Sequence, residues 1–137
     1  MTFFEGKEGI LSVYDDTLRE KKPIQAWSDF DAMRETLGEN FMTTYPEKRT
    51  AKNIYFHCIT RKTPTSLELQ KSNAKNLRDM RFMMREKLKT EINIYGNKVA
   101  FISFKSVKPF AVIVEDEGIS HTLRSVWSEL WHALSGK

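Results

Sequence analysis

The chain has 137 residues, 40% of them hydrophobic and 29% charged, with a formal net charge of +4. This length and balance predict one globular, soluble domain over residues 1–137 with a single core. No apolar run reaches the roughly 18 residues of a transmembrane helix, and no signal peptide is evident, so we expect no membrane association. The single cysteine, Cys58, excludes an intramolecular disulfide and fits the cytoplasm.

The first half of the chain alternates between helical and strand patterns. The predicted elements are, in order, a helix over 6–20 ended by Pro23, a strand over 24–28, a helix through residues 30–37, a helical piece or exposed loop over 40–50, and a strand over 53–59. Ser28 or Asp29 is expected to cap the second helix. The strand over 53–59 is rich in β-branched and aromatic residues, as strands usually are.

The second half contains a hairpin signal and a closing helix. The predicted elements are a helix over 67–77, strands over 80–84, 91–95, 98–104 and 109–115, and a helix from about Gly118 to Leu134. Gly96 and Asn97 both tolerate positive φ and suit a two-residue hairpin turn. The loop over 63–66 is expected to supply an N-cap, with Glu68 completing the capping interaction. The closing helix carries one apolar stripe.

This order of elements predicts the fold class. Strands joined by helical crossovers are expected to be parallel, whereas the hairpin strands must be antiparallel. The economical arrangement is an α/β domain in three layers, with a mixed β-sheet flanked by helices on both faces.

A candidate ligand site follows from the expected sheet. Ligands of open α/β sheets bind beyond the carboxyl ends of the parallel strands. These ends carry Ser28 and Asp29, then Thr60 and Arg61, then Arg85. Hydroxyl, carboxylate and guanidinium groups at one edge are suited to a polyol or a small anion. The alternative is that Ser28 and Asp29 only cap a helix and that both arginines are ordinary surface residues.

Catalytic, cofactor and metal motifs are absent from the sequence. The three histidines, His57, His121 and His132, have no ligand spacing, so no metal site is expected. There is no Walker loop, G-x-S-x-G or G-x-G-x-x-G motif, and no cofactor is expected. The basic residues over 71–89 are interrupted by acidic ones, which favours a solvated surface over a nucleic-acid interface.

Several segments resemble the effector domain of TrmB-like transcriptional regulators. They are residues 4–10 and 14–18, the hairpin over 91–104, the strand over 111–115, and residues 122–131 of the last helix. The resemblance implies a phospholipase D-like fold, a regulatory role, homodimers and a sugar effector. It also implies that DNA is contacted through a separate winged-helix domain, which these 137 residues do not include.

Phospholipase D enzymes require the motif H-x-K-x4-D, in which histidine is the nucleophile and lysine stabilises phosphate charge. No copy is present, and the hairpin reads Glu91-Ile92-Asn93 where the motif would lie. Glu91 and Asn93 therefore join the candidate ligand-binding residues. The expected function is non-catalytic ligand sensing and dimerisation. The alternatives are a degenerate phosphodiesterase-like hydrolase and a structural interaction module without a small ligand.

The dimer expectation depends on the aromatic content of the two chain ends. Trp127 and Trp131 on the closing helix, with Phe3 and Phe4, are candidates for an exposed partner surface. The alternative is that both tryptophans pack entirely on their own sheet.

Overall fold

A computed structural model describes residues 1–137 as seven strands and five helices. They are, in chain order, β1 (Thr2–Glu5), α1 (Gly6–Glu20), β2 (Ile24–Trp27), α2 (Phe30–Leu37), α3 (Glu39–Ala51), β3 (Phe56–Arg61), α4 (Pro64–Gln70), β4 (Arg78–Met83), β5 (Glu91–Tyr95), β6 (Lys98–Ser103), β7 (Phe110–Glu115) and α5 (Glu117–Ala133). The longest helix, α5, has 17 residues, and no helix has the combined length and apolarity of a membrane span.

All seven strands form one mixed sheet in the order β1-β7-β6-β5-β2-β3-β4. Strands β2, β3 and β4 are parallel, which confirms the prediction for strands joined by helical crossovers. The other pairs are antiparallel, including the β5–β6 hairpin, in which Tyr95 pairs with Lys98. Gly96 in the hairpin turn has a φ of +60°, a left-handed value that glycine adopts without strain.

The sheet separates two apolar clusters. The larger cluster joins α1, α2 and α3 to one face of the sheet and includes Ile10, Tyr14 and Met33. The smaller cluster lies under α5 on the other face and includes Trp127 and Trp131. Helices therefore cover both faces, as predicted.

Both tryptophans of α5 pack on their own sheet. Trp127 is 4% exposed and Trp131 is 8% exposed, and their rings stack with centroids 4.8 Å apart. The indole Nε1 of Trp127 donates a hydrogen bond of 3.0 Å to the carbonyl oxygen of Ala26 in β2. The two side chains thus stabilise the fold and leave little surface for a partner.

Several elements differ from the sequence prediction. Strand β1 was not predicted, because its four residues are too few for a periodic signal and only its pairing with β7 defines it. Strand β3 begins at Phe56 instead of residue 53, since Asn53 has a left-handed φ of 56°. Residues 39–51 form one helix, so the alternative of an exposed loop around Pro46 is wrong.

Helix α4 begins and ends earlier than predicted. Thr63 caps it through a hydrogen bond from Ser66 N, and the hydroxyl of Ser66 accepts from Thr63 N in return. Ser66 and not Glu68 therefore completes the capping box, because it occupies the third helical position. Residues 71–77 form turns that end at Leu77, whose φ is 48°.

We expect Trp127→Phe to lower the free energy of unfolding by about 2 kcal/mol, because it removes buried area and leaves the Ala26 carbonyl without this donor. Chemical denaturation measures the loss. Val126→Ala is the control on the same helix, since Val126 is 53% exposed. Equal losses in both variants would contradict the proposed packing of α5.

Candidate ligand-binding cleft

A polar cleft of about 180 Å³ opens where β2 and β3 end. Its polar lining includes Ser28, Asp29, Thr60, Arg61, Lys87 and Lys105. The first four side chains come from the carboxyl ends of two parallel strands, which the sheet holds side by side. The two lysines come from the connections after β4 and after β6.

Four of the residues singled out in the sequence therefore meet in one cleft: Ser28, Asp29, Thr60 and Arg61. Arg85 is exposed and does not line it. Sequence reasoning missed Lys87 and Lys105, because both lie in irregular connections whose position depends on tertiary packing. The only local feature that could have indicated Lys87 as a cleft residue is its position after the third parallel strand.

Some charged side chains of the cleft form ion pairs and others do not. Asp29 caps α2 by accepting from Ala32 N at 3.0 Å, and its other oxygen pairs with Lys105 Nζ at 3.3 Å. Arg61 and Lys87 have no carboxylate within salt-bridge distance. A second carboxylate, Asp31, also lines the cleft and accepts from the hydroxyl of Thr65. Arg61 and Lys87 are the two cations of the cleft that have no carboxylate partner and are free to bind an anion.

Glu91 and Asn93 lie beneath the cleft and do not line it. Both side chains are buried on the face of β5 that packs against α1. The hydroxyl of Tyr14 donates to Glu91 Oε2 at 2.6 Å, and Asn93 Nδ2 donates to the same oxygen at 3.3 Å. Ser28 faces the same carboxyl from the end of β2, but its Oγ makes no hydrogen bond of standard geometry.

Burial controls the acid–base behaviour of this cluster. Loss of solvation raises the pKa of Glu91 to about 7, although hydrogen bonds from Tyr14 and Asn93 oppose the shift. Burial and the nearby Glu91 carboxyl raise the pKa of Tyr14 well above its usual value of 10.0. Near neutral pH the cluster therefore holds one group that titrates, Glu91.

A second cavity, of about 30 Å³, lies between α2, α3 and the sheet. Its lining is mainly apolar and includes Met33, Phe41 and Tyr45. Arg49 lies beside it, but donates to the carbonyl oxygens of Ile54 and Asn76 at 2.8 and 2.7 Å. This volume holds one or two water molecules, so the larger polar cleft is the better candidate for a ligand.

Solved structures share this mixed sheet with helices on both faces, and their likeness gives the chain a phospholipase D-like α/β fold. Similar solved structures include Nuc, a phospholipase D family member from Salmonella typhimurium, with a TM-score of 0.70, 12% identity and coverage of 98% of this chain and 95% of Nuc. NucT from Helicobacter pylori aligns with a TM-score of 0.64 and 8% identity over 99% of this chain and 98% of NucT.

The archaeal chromatin protein TrmBL2 has the same fold, which confirms the TrmB-like architecture that the sequence indicated. It aligns with a TM-score of 0.67 and 11% identity over 99% of this chain. The chain spans about half the length of TrmBL2, 54% of it. No protein-family model and no curated protein matches the sequence.

We expect Glu91→Gln to change how stability depends on pH. The raised pKa means that the folded state binds this proton more tightly than the unfolded state. The native protein should therefore lose roughly 3 kcal/mol between about pH 4.5 and pH 8 through this group, with full stability at the acidic end.

The variant should lose this contribution to the pH dependence and should be the more stable protein above about pH 8. Urea denaturation at several pH values measures the effect. Glu117→Gln, at an exposed residue, is the matched control and should behave as the native protein. Parallel curves for the native protein and Glu91→Gln would contradict the proposed titration.

Proposed function

We propose that this chain is a non-catalytic, ligand-sensing and dimerising domain of a TrmB-like transcriptional regulator, and that its ligand binds in the cleft at the ends of β2 and β3. The observation that carries the proposal is a polar cleft with two unpaired cations and no imidazole. His57 does not line the cleft. It lies on the face of the sheet that α5 covers, where its ring and that of Trp131 have centroids 5.7 Å apart. His121 and His132 are exposed on α5.

The cleft suits a polyol or a small anion. The guanidinium of Arg61 and the ammonium of Lys87 attract negative charge. The hydroxyl of Thr60 donates to the carbonyl oxygen of Ser28 at 2.8 Å, which leaves its own lone pairs available to accept from a ligand hydroxyl. Sugars and small oxyanions are the two ligand classes that fit these groups.

The likeness to TrmBL2 supports a role that involves DNA. TrmBL2 is an archaeal chromatin protein whose structure shows a novel mode of DNA binding. For this chain we propose that a separate winged-helix domain contacts DNA and that the regulator works in the cytoplasm. The chain itself is proposed to bind DNA weakly, because its basic residues are dispersed over several elements.

A phospholipase D-like hydrolase is the second candidate function. It is favoured by the likeness to Nuc and NucT, which extends over nearly their whole length. Against it stands the segment Glu91-Ile92-Asn93, which supplies neither a histidine nor a lysine and whose two polar side chains are buried. Fold likeness by itself does not decide between these functions.

Dimerisation is proposed through the edge strand β1. This strand pairs with β7 on one side only, so its outer backbone groups are free to pair with a second strand. Phe3 on β1 is 58% exposed and stacks on Phe110 with centroids 5.5 Å apart. An exposed aromatic beside an open strand edge is suited to a second copy of the chain.

We expect sulfate or glucose to raise the thermal unfolding midpoint of the native chain. Replacing both free cations, in the double variant Arg61→Gln with Lys87→Met, should weaken sulfate binding by more than about tenfold, since each charge-assisted hydrogen bond contributes about 1.5–3 kcal/mol. The control, Lys7→Met with Lys48→Met, removes two exposed charges outside the cleft and should bind as the native chain.

Loss of binding in both double variants alike would indicate a general charge effect and not a site. Turnover of a generic phosphodiester that His57→Ala abolished would favour the hydrolase instead.

We expect sedimentation equilibrium at micromolar concentration to show a dimer of the 16.0 kDa chain. Phe3→Lys should shift it towards the monomer, because a charge on an edge strand disfavours further pairing. Val126→Lys, at an exposed residue of α5, is the control. A monomeric native chain at every concentration would refute dimerisation by this domain.

A further inference from the structure

Three of the four buried side-chain atoms that lack a hydrogen-bond partner belong to the group beneath the cleft. They are Ser28 Oγ, Glu91 Oε1 and Asn93 Oδ1. An unpaired buried polar atom is costly, so such a group needs an explanation. Ser28 also lines the cleft, and it is therefore the residue shared by the buried group and the ligand space.

We infer that a small anion in the cleft binds together with a proton on Glu91, because Ser28 and Asp29 line the cleft and also face this carboxyl. This inference rests on the proposed function, because it requires the cleft to bind an anion.

The hydrogen bonds of the carboxyl indicate where the proton resides. Glu91 Oε2 already accepts from Tyr14 at 2.6 Å and from Asn93 at 3.3 Å, whereas Oε1 has no hydrogen bond of standard geometry. The Ser28 hydroxyl and the backbone amide of Asp29 also face the carboxyl and oppose the rise of its pKa. A proton on Oε1 makes this atom a donor, and Ser28 Oγ faces the carboxyl with its acceptor capacity unused. The neutral carboxyl therefore satisfies an otherwise unpaired group.

The groups around Glu91 leave it as the titrating member near neutral pH. The titratable side chains that face it from the packed elements are Tyr14 of α1, Tyr45 of α3 and Cys58 of β3. Burial raises the pKa of each, of Tyr45 to about 12, so all three are neutral.

From the end of β2, Asp29 faces Glu91 with its backbone amide, while its carboxylate pairs with Lys105. On the other side, β6 places the apolar Ile102 opposite Glu91. No cation forms a salt bridge with Glu91. Without such a partner, an anion in the cleft acts directly on the charge of this carboxyl.

Glu91 lies directly behind Ser28 and Asp29, which line the cleft and face its carboxyl. The hydroxyl of Ser28 is itself enclosed, so an anion in the cleft meets the charge of Glu91 through space and not through a hydrogen bond. An ionised Glu91 repels the anion in this buried setting, whereas a protonated Glu91 does not. Anion binding and proton binding therefore favour each other.

Isothermal titration with sulfate tests this coupling, because sulfate itself does not titrate near neutral pH. The native chain should bind sulfate about tenfold more tightly at about pH 6 than at about pH 8.5. Titrations near pH 8 in two buffers with different ionisation enthalpies should show the uptake of roughly half a proton per sulfate bound.

Two variants separate the parts of the coupling. Glu91→Gln should bind sulfate with little pH dependence and without proton uptake, because glutamine is a permanently neutral analogue of the protonated acid. Ser28→Ala should keep most of the pH dependence, because the coupling acts through the charge of Glu91 and not through this enclosed hydroxyl. Glu117→Gln, an exposed glutamate, should keep the native dependence.

The outcomes are distinguishable. Sulfate binding with no pH dependence and no proton uptake in the native chain overturns the coupling and leaves the proposed anion site standing. Binding of glucose without binding of sulfate also overturns the coupling but keeps the cleft as a ligand site. Binding of neither overturns the proposed site together with the coupling. The buffer experiment needs only the native chain, so the inference can fail even if a variant does not fold.

Discussion

Strand β5 packs against α5 on one face and against α1 on the other, and the rest of the fold depends on both contacts. It is the middle strand of the seven and joins the parallel half of the sheet to the antiparallel half. Ile92 and Ile94 face the tryptophans of α5, whereas Glu91 and Asn93 face α1. The apolar face stabilises the domain by burial. The polar face costs stability, because a carboxyl group is withdrawn from water.

The polar face is tolerated because α1 brings Tyr14 against it. One short hydrogen bond of 2.6 Å offsets part of the desolvation of Glu91, and the remainder appears as a pKa near 7. A leucine at this position would be the simpler choice for stability alone. A buried carboxyl directly below a polar cleft is instead the arrangement expected of a site that responds to charge.

The comparison structures separate the fold from the chemistry it carries. Nuc, NucT and TrmBL2 share the architecture of this chain at 8–12% identity, so the packing of helices on a mixed sheet survives almost complete replacement of the side chains. Apolar burial and strand pairing depend on patterns of residues and not on particular ones. A catalytic or binding site depends on particular atoms, and for that reason the proposed function rests on the cleft and not on the likeness.

The sequence by itself determined the fold class, the Gly96-Asn97 hairpin, the closing helix and the parallel order of β2, β3 and β4. These follow from local periodicity and turn chemistry, which neighbouring residues specify. It also placed Ser28, Asp29, Thr60 and Arg61 at one sheet edge, because parallel strands end on the same side.

Only the tertiary structure decided the edge strand, the lysines of the cleft and the acid–base behaviour of Glu91. Strand β1 exists because β7 offers it an edge. Lys87 and Lys105 reach the cleft because their connections fold over it. The raised pKa of Glu91 follows from burial under α1, whose Tyr14 is 77 positions away in the chain. Solvation and hydrogen bonding depend on neighbours in space, and no local pattern of residues specifies those.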